Sequence, residues 1–101
     1  MTLNNLALLY KNTQRFSESE EMFKEALAIY RRLAQSNPQA YEPYMAHTLN
    51  NLALLYSNTQ RFSESEEMYK EALAIRRRLA QSNPQDYEPD LAKKLNNLAN
   101  L

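Results

Sequence analysis

Apolar residues recur along the chain in two alternating kinds of stretch, both at the three-and-four spacing of an amphipathic helix. Leu3, Leu6, Ala7 and Tyr10 mark the first kind, while Ser19, Met22, Phe23, Ala26, Ile29 or Tyr30, Leu33 and Ala34 form a longer stripe that runs to about residue 35. Between them, Asn12-Thr13-Gln14-Arg15 interrupts the pattern with turn-prone residues. Asn12 is expected to take the left-handed conformation, since the chain has no glycine to supply it. Ser17 followed by Glu20 predicts a capping box at the start of the second helix. That helix carries its acids early (Glu18, Glu20, Glu21) and its bases late (Arg31, Arg32), the order that complements the helix dipole, and Glu20 and Lys24 pair four residues apart. Ser36-Asn37-Pro38 is expected to end it, because the residue before a proline is pushed out of the helical region. A short connector should then lead to Pro43 in the first turn of the next helix.

The pattern then repeats. Leu49-Asn50-Asn51-Leu52-Ala53-Leu54-Leu55-Tyr56 restates residues 3–10 and begins again over residues 95–101, each time 46 residues on. Residues 2–47 and 48–93 are identical at 39 positions. They differ at Lys11/Ser57, Phe23/Tyr69, Tyr30/Arg76, Ala40/Asp86, Tyr44/Asp90, Met45/Leu91 and His47/Lys93. A third helix is expected from about 43 to 57 on Met45, Leu49, Leu52, Ala53 and Tyr56. A fourth follows from about 63 to 82, capped by Ser63 and Glu66 and ended by Asn83-Pro84, and a fifth opens at Pro89. Self-similarity at a fixed period is the signature of a solenoid, in which each unit covers its apolar face with its neighbours. The fold expected is an all-α solenoid of antiparallel helix pairs, one repeat domain over 1–101 divided as 2–47, 48–93 and the start of a third unit at 94–101. The likeness of the copies, and ends that fall inside helices, point to a piece of a longer array born of duplication or consensus.

Composition narrows the chemistry. Twelve basic residues balance twelve acidic ones, so no overall field draws in nucleic acid or an anionic membrane. Cysteine is absent and no stretch approaches the roughly 20 apolar residues of a membrane span, which together fit a soluble, cytoplasmic protein. Without glycine, phosphate-cradling loops are excluded. His47 is the lone histidine, its counterparts are Met1 and Lys93, and no nucleophile or acid accompanies it at a recognisable spacing. The carboxylates of Glu18, Glu20 and Glu21 fan around a helix axis instead of converging on one ion. Neither an enzyme nor a metal or cofactor site is expected.

Leu6-Ala7-x-x-Tyr10 followed by Phe16, Ser19, Phe23 and Ala26 resembles the tetratricopeptide repeat, and Leu52, Ala53, Tyr56, Phe62, Ser65, Tyr69 and Ala72 repeat the match. The unit exceeds the usual repeat of about 34 residues. Its TLNNLALLY wording, extended second helix and following proline look like the long-form repeats of kinesin light chains. Gln14 and Gln60 stand where the family commonly has a turn glycine, Ser19 and Ser65 replace the commoner alanine, and the proline after the second helix comes late, at Pro38 and Pro84. Independently of the family, Ala7, Ala26, Ala53 and Ala72 are small where two helices must approach closely.

The resemblance implies that the first helices of the pairs line a concave groove binding extended or helical peptides. Asn50, Asn51 and Leu54 lie one position off the core stripe and should face it, as should Asn4, Asn5 and Leu8, then Asn96, Asn97 and Asn100. In the family the asparagine matching Asn5, Asn51 and Asn97 often holds a peptide backbone, a role suited to an amide that offers both donor and acceptor. Asn12 and Asn58 lie a turn further along. Against this stands a structural reading in which these asparagines only bridge neighbouring first helices. With no Lys or Arg between Pro43 and Asn58, a carboxylate clamp is disfavoured, and Lys93 and Lys94 read as a solvated end. The function expected is a non-enzymatic protein-interaction scaffold with a protein or peptide partner and no nucleic acid, membrane or cofactor. The alternative is a structural piece whose exposed ends drive a homodimer, a swapped hairpin or an end-to-end oligomer.

Overall fold

The computed structural model describes residues 3–99. It consists of five helices, α1 (Leu3–Asn12), α2 (Phe16–Ser36), α3 (Pro38–Asn58), α4 (Phe62–Ser82) and α5 (Pro84–Ala99). Each packs on the next in chain order, and the described residues include no strand. The all-α helical repeat follows as expected.

The turns inside the pairs correct the expected positions. The left-handed residue is Gln14, and Gln60 in the second copy, each with φ of 62°, instead of Asn12. Arg15 N–H donates to the Tyr10 carbonyl at 2.7 Å and Gln14 N–H to that of Lys11 at 3.0 Å, the paired bonds of a Schellman motif with glutamine in the place glycine usually takes. The apolar contact that often accompanies the motif is replaced by a stacked cation, since the Arg15 guanidinium sits 4.4 Å from the Tyr10 ring centroid and Arg61 repeats this on Tyr56.

Neither predicted capping box forms. Helices α2 and α4 begin at Phe16 and Phe62, and their N-cap residues, Arg15 and Arg61, make no side-chain cap bond. Ser17 and Ser63 therefore lie inside the first turn, too late to cap it, and Glu20 turns to Arg61 (2.6 Å) and Lys24 (2.9 Å).

The connectors between pairs are shorter than expected. Asn37 alone separates α2 from α3; its N–H closes α2 on the Leu33 carbonyl at 3.0 Å, and its side chain accepts from Ala40 N–H at 3.3 Å. Pro38 opens α3, where a preset φ and a missing donor are harmless. The expected connector up to Pro43 is helical instead, and Pro43 lies inside α3 as Pro89 lies inside α5. The only ladder bond forfeited at Pro43 is the one its N–H would give the Gln39 carbonyl, close to the helix start.

The core lies where α3 is sandwiched between α2 and α4. Phe23, Leu49, Leu52, Ala53 and Leu55 are essentially inaccessible, and Tyr56, Ala72 and Ile75 complete it. Ser19 and Ser65, where the family favours alanine, are buried and satisfied: their hydroxyls donate to the Ala7 and Ala53 carbonyls at 2.8 and 2.7 Å. Ion pairs tie alternate helices across the stack, with Arg31 of α2 donating to Glu71 of α4 at 2.9 Å.

Candidate functional site

Three helices converge on a cleft of about 250 Å³. Helix α3 contributes Asn50 and Leu54, α4 contributes Tyr69, Leu73 and Arg76, and α5 contributes Lys94 and Asn97. The spacing along each helix explains the selection, because positions three or four apart share a face and each helix turns one such face to the cleft. Its lining is mainly apolar, with two amides and two cations among it, and Leu54 is exposed whereas Arg76 is buried. Asn50 is half-buried and accepts from Arg76 Nη1 at 3.0 Å, which orients its amide. The Arg76 side chain is held from the other side by Asp90, Nε to Oδ2 at 3.0 Å, so this cation is neutralised in place. Lys94 and Asn97 complete the far wall.

Burial raises the pKa of the Tyr69 phenol, which stays neutral. Across α3, desolvation lowers the pKa of His47 below its ordinary value, the Arg76 and Lys94 cations push the same way, and Asp90 opposes them. The imidazole beside the cleft is therefore neutral at pH 7 and adds no charge.

The sequence-predicted residues part company here. Asn50, Leu54 and Asn97 meet in the cleft, but Asn51 does not. It is 8% exposed, and its Nδ2 has no hydrogen-bond partner among the described residues. The apolar spacing predicts a single core stripe for the third helix, whereas α3 is covered on two sides and buries Thr48, Asn51 and Leu55 as well. Asn5 is exposed on α1 and Asn58 is exposed at the end of α3, both outside the cleft. Asn4, their neighbour in the pattern, does bridge first helices, donating to Thr48 Oγ1 at 3.1 Å. Asn100 lies outside the described residues.

Sequence reasoning missed Tyr69, Leu73 and Arg76, and it placed Lys94 at a solvated end. A signal was present: Tyr69 and Arg76 are two of the seven positions at which the copies differ. Arg76 also supplies the cation that α3 lacks, from the neighbouring second helix, and a search confined to first helices does not meet it.

Among the described residues no group of three His, Cys, Asp or Glu is placed to hold a metal ion, and no helix is long and apolar enough to cross a membrane. Comparison with curated proteins returned no match. A family model described as tetratricopeptide repeat matches residues 1–78.

Proposed function

Given that the chain belongs to the tetratricopeptide repeat family, whose members are generally protein–protein interaction modules, we propose that it is a non-enzymatic scaffold holding a peptide segment of a partner in the cleft between α3, α4 and α5. The observation that carries this reading is the pairing of the Asn50 and Asn97 amides with the apolar Leu54, Tyr69 and Leu73 in one concavity. Amides match the donor and acceptor of a peptide unit without demanding a particular side chain, and the apolar lining takes one large side chain. Leu54 is exposed, so its burial by a ligand would contribute directly to affinity.

Peptides selected from a displayed library against the full chain supply the test. Leu54→Asp and Asn97→Ala should each weaken capture about tenfold or more while helicity and melting stay unchanged. Undiminished capture by both variants removes the cleft from consideration.

A second reading, self-association, is favoured by Phe62, which is 63% exposed on α4 although its counterpart Phe16 is partly covered. Phe62, Tyr69 and Leu73 line one shallow hollow with Ser57, Ser65, Glu66 and Lys70, and an exposed aromatic in such a place is the kind of surface that pairs two molecules. Sedimentation over a concentration series separates the two readings, since Phe62→Ser should reduce association and leave peptide capture intact.

A further inference from the structure

The two joints between successive helix pairs are built from nearly the same sequence but carry different residue pairs at the equivalent place. At the first, Tyr30 of α2 stacks on Tyr44 of α3, with ring centroids 5.7 Å apart and planes inclined by 15°. The residues 46 positions later are Arg76 of α4 and Asp90 of α5, and they form an ion pair at 3.0 Å. The change is therefore paired. Two of the seven differences between the copies are contact partners, and aromatic meets aromatic at one joint where cation meets anion at the other. Arg76 is 6% exposed and also reaches Asn50 of α3 at 3.0 Å, so its guanidinium has fixed partners on both neighbouring helices.

The incoming helices are otherwise close copies. Residues 38–53 and 84–99 differ at 40/86, 44/90, 45/91, 47/93 and 48/94 and agree elsewhere. Backbone shape and most of the apolar face consequently do not tell α3 from α5. The pair at the edge of the joint does, where Tyr44 is 57% exposed and the Asp90 side chain 45%. An α3-type helix docked on α4 would set Tyr44 against Arg76 and leave a buried guanidinium without its carboxylate, a costly arrangement. An α5-type helix docked on α2 would set the Asp90 carboxylate against the Tyr30 ring, whose face repels negative charge.

We propose that the pairs Tyr30/Tyr44 and Arg76/Asp90 are an address that decides which first helix docks on which second helix. The α4 face centred on Arg76 accepts a helix carrying a carboxylate at the place of Asp90 and rejects a tyrosine-bearing one, including α3 of a second copy of this chain. In an array of near-identical units, this contact separates correct stacking from exchange between molecules.

The test uses the full chain with Arg76→Tyr, Asp90→Tyr and both together, the last giving the second joint the tyrosine pair of the first. Hydrogen exchange of the α5 amides should accelerate about tenfold in each single variant. In the double variant it should accelerate by less than the product of the two single effects, because a stacked pair is restored. Effects that simply multiply overturn the pairing. Sedimentation at equal concentration should show a larger dimer fraction for the double variant than for the parent, since α3 and α5 are then interchangeable at this contact; an equal or smaller fraction overturns the selection. Should the tyrosine variants fail to fold, Asp90→Asn keeps the shape and removes the charge. It should speed exchange in α5 and leave α1 to α3 unaltered, and unaltered exchange in α5 overturns the proposal.

Discussion

Ser65 Oγ lies 2.7 Å from the Ala53 carbonyl oxygen and donates to it, a contact made in the same way by Ser19 and Ala7 in the first pair. A side-chain hydroxyl reaches a neighbouring backbone this closely only where the helices nearly touch. Ala53 is fully buried at that point, so Ala53→Leu should force the pair apart and cost about 1–3 kcal/mol. Urea unfolding measures it, and an unchanged midpoint would mean that the helices yield freely.

Gln60 occupies the left-handed region with φ of 62°, which costs a residue with a Cβ about 1–2 kcal/mol relative to glycine. Gly also has the larger unfolded-state entropy to lose, which offsets roughly 0.5–1 kcal/mol. Gln60→Gly should therefore raise stability by up to about 1 kcal/mol, and Gln14→Gly likewise. A lower melting temperature would show that the glutamine side chain contributes beyond its backbone.

Glu20 joins α2 to the turn before α4. Burial works against its charge, but the bonds from Arg61 and Lys24 outweigh that and hold its pKa below the ordinary 4.5. A depressed carboxylate contributes stability that is complete above its unfolded pKa and is lost as pH falls through the folded one. Stability should decline below about pH 4.5, and Glu20→Gln should flatten that part of the pH profile. A profile of unchanged slope would remove Glu20 from the acid limb.

His47 acts in a higher window. Its folded pKa lies below 6.5, so the unfolded chain binds the proton more readily, and stability falls as pH drops below 6.5 through the folded value. His47→Gln should abolish this component and leave the Glu20 component in place. Equal pH profiles for parent and variant just below pH 6.5 would refute it.

Asn51 is buried with an amide nitrogen that has no partner among the described residues. Removing an orphaned donor relieves its desolvation cost, so Asn51→Leu should stabilise the fold by about 1 kcal/mol. A loss of stability would show that the donor is bonded after all.

The helical hairpins, their order and their period were legible in the sequence because local spacing decides which residues share a helical face. Turn details were less legible. Ser17-x-x-Glu20 has the composition of a capping box, but the left-handed turn at Gln14 starts α2 two residues too early for Ser17 to cap it. Asn37-Pro38 ends α2 as the sequence predicts, but Pro38 also starts α3, since a proline ends one helix and suits the first turn of the next equally well.

Within the site, identical words took different fates. Residues 2–10 and 48–56 spell the same nine letters, yet Leu9 is 48% exposed and Leu55 only 1%, and Asn5 is exposed where Asn51 is buried. That both words are amphipathic helices with Leu6-Ala7 and Leu52-Ala53 inward is written in the chain, because it depends on residues three and four apart. Which asparagine reaches a cleft is set by packing, because α1 lies chiefly on α2 while α3 is enclosed between α2 and α4. Exposure at the second face of a helix is set by its neighbours in space, and no local pattern encodes whether a neighbour is there.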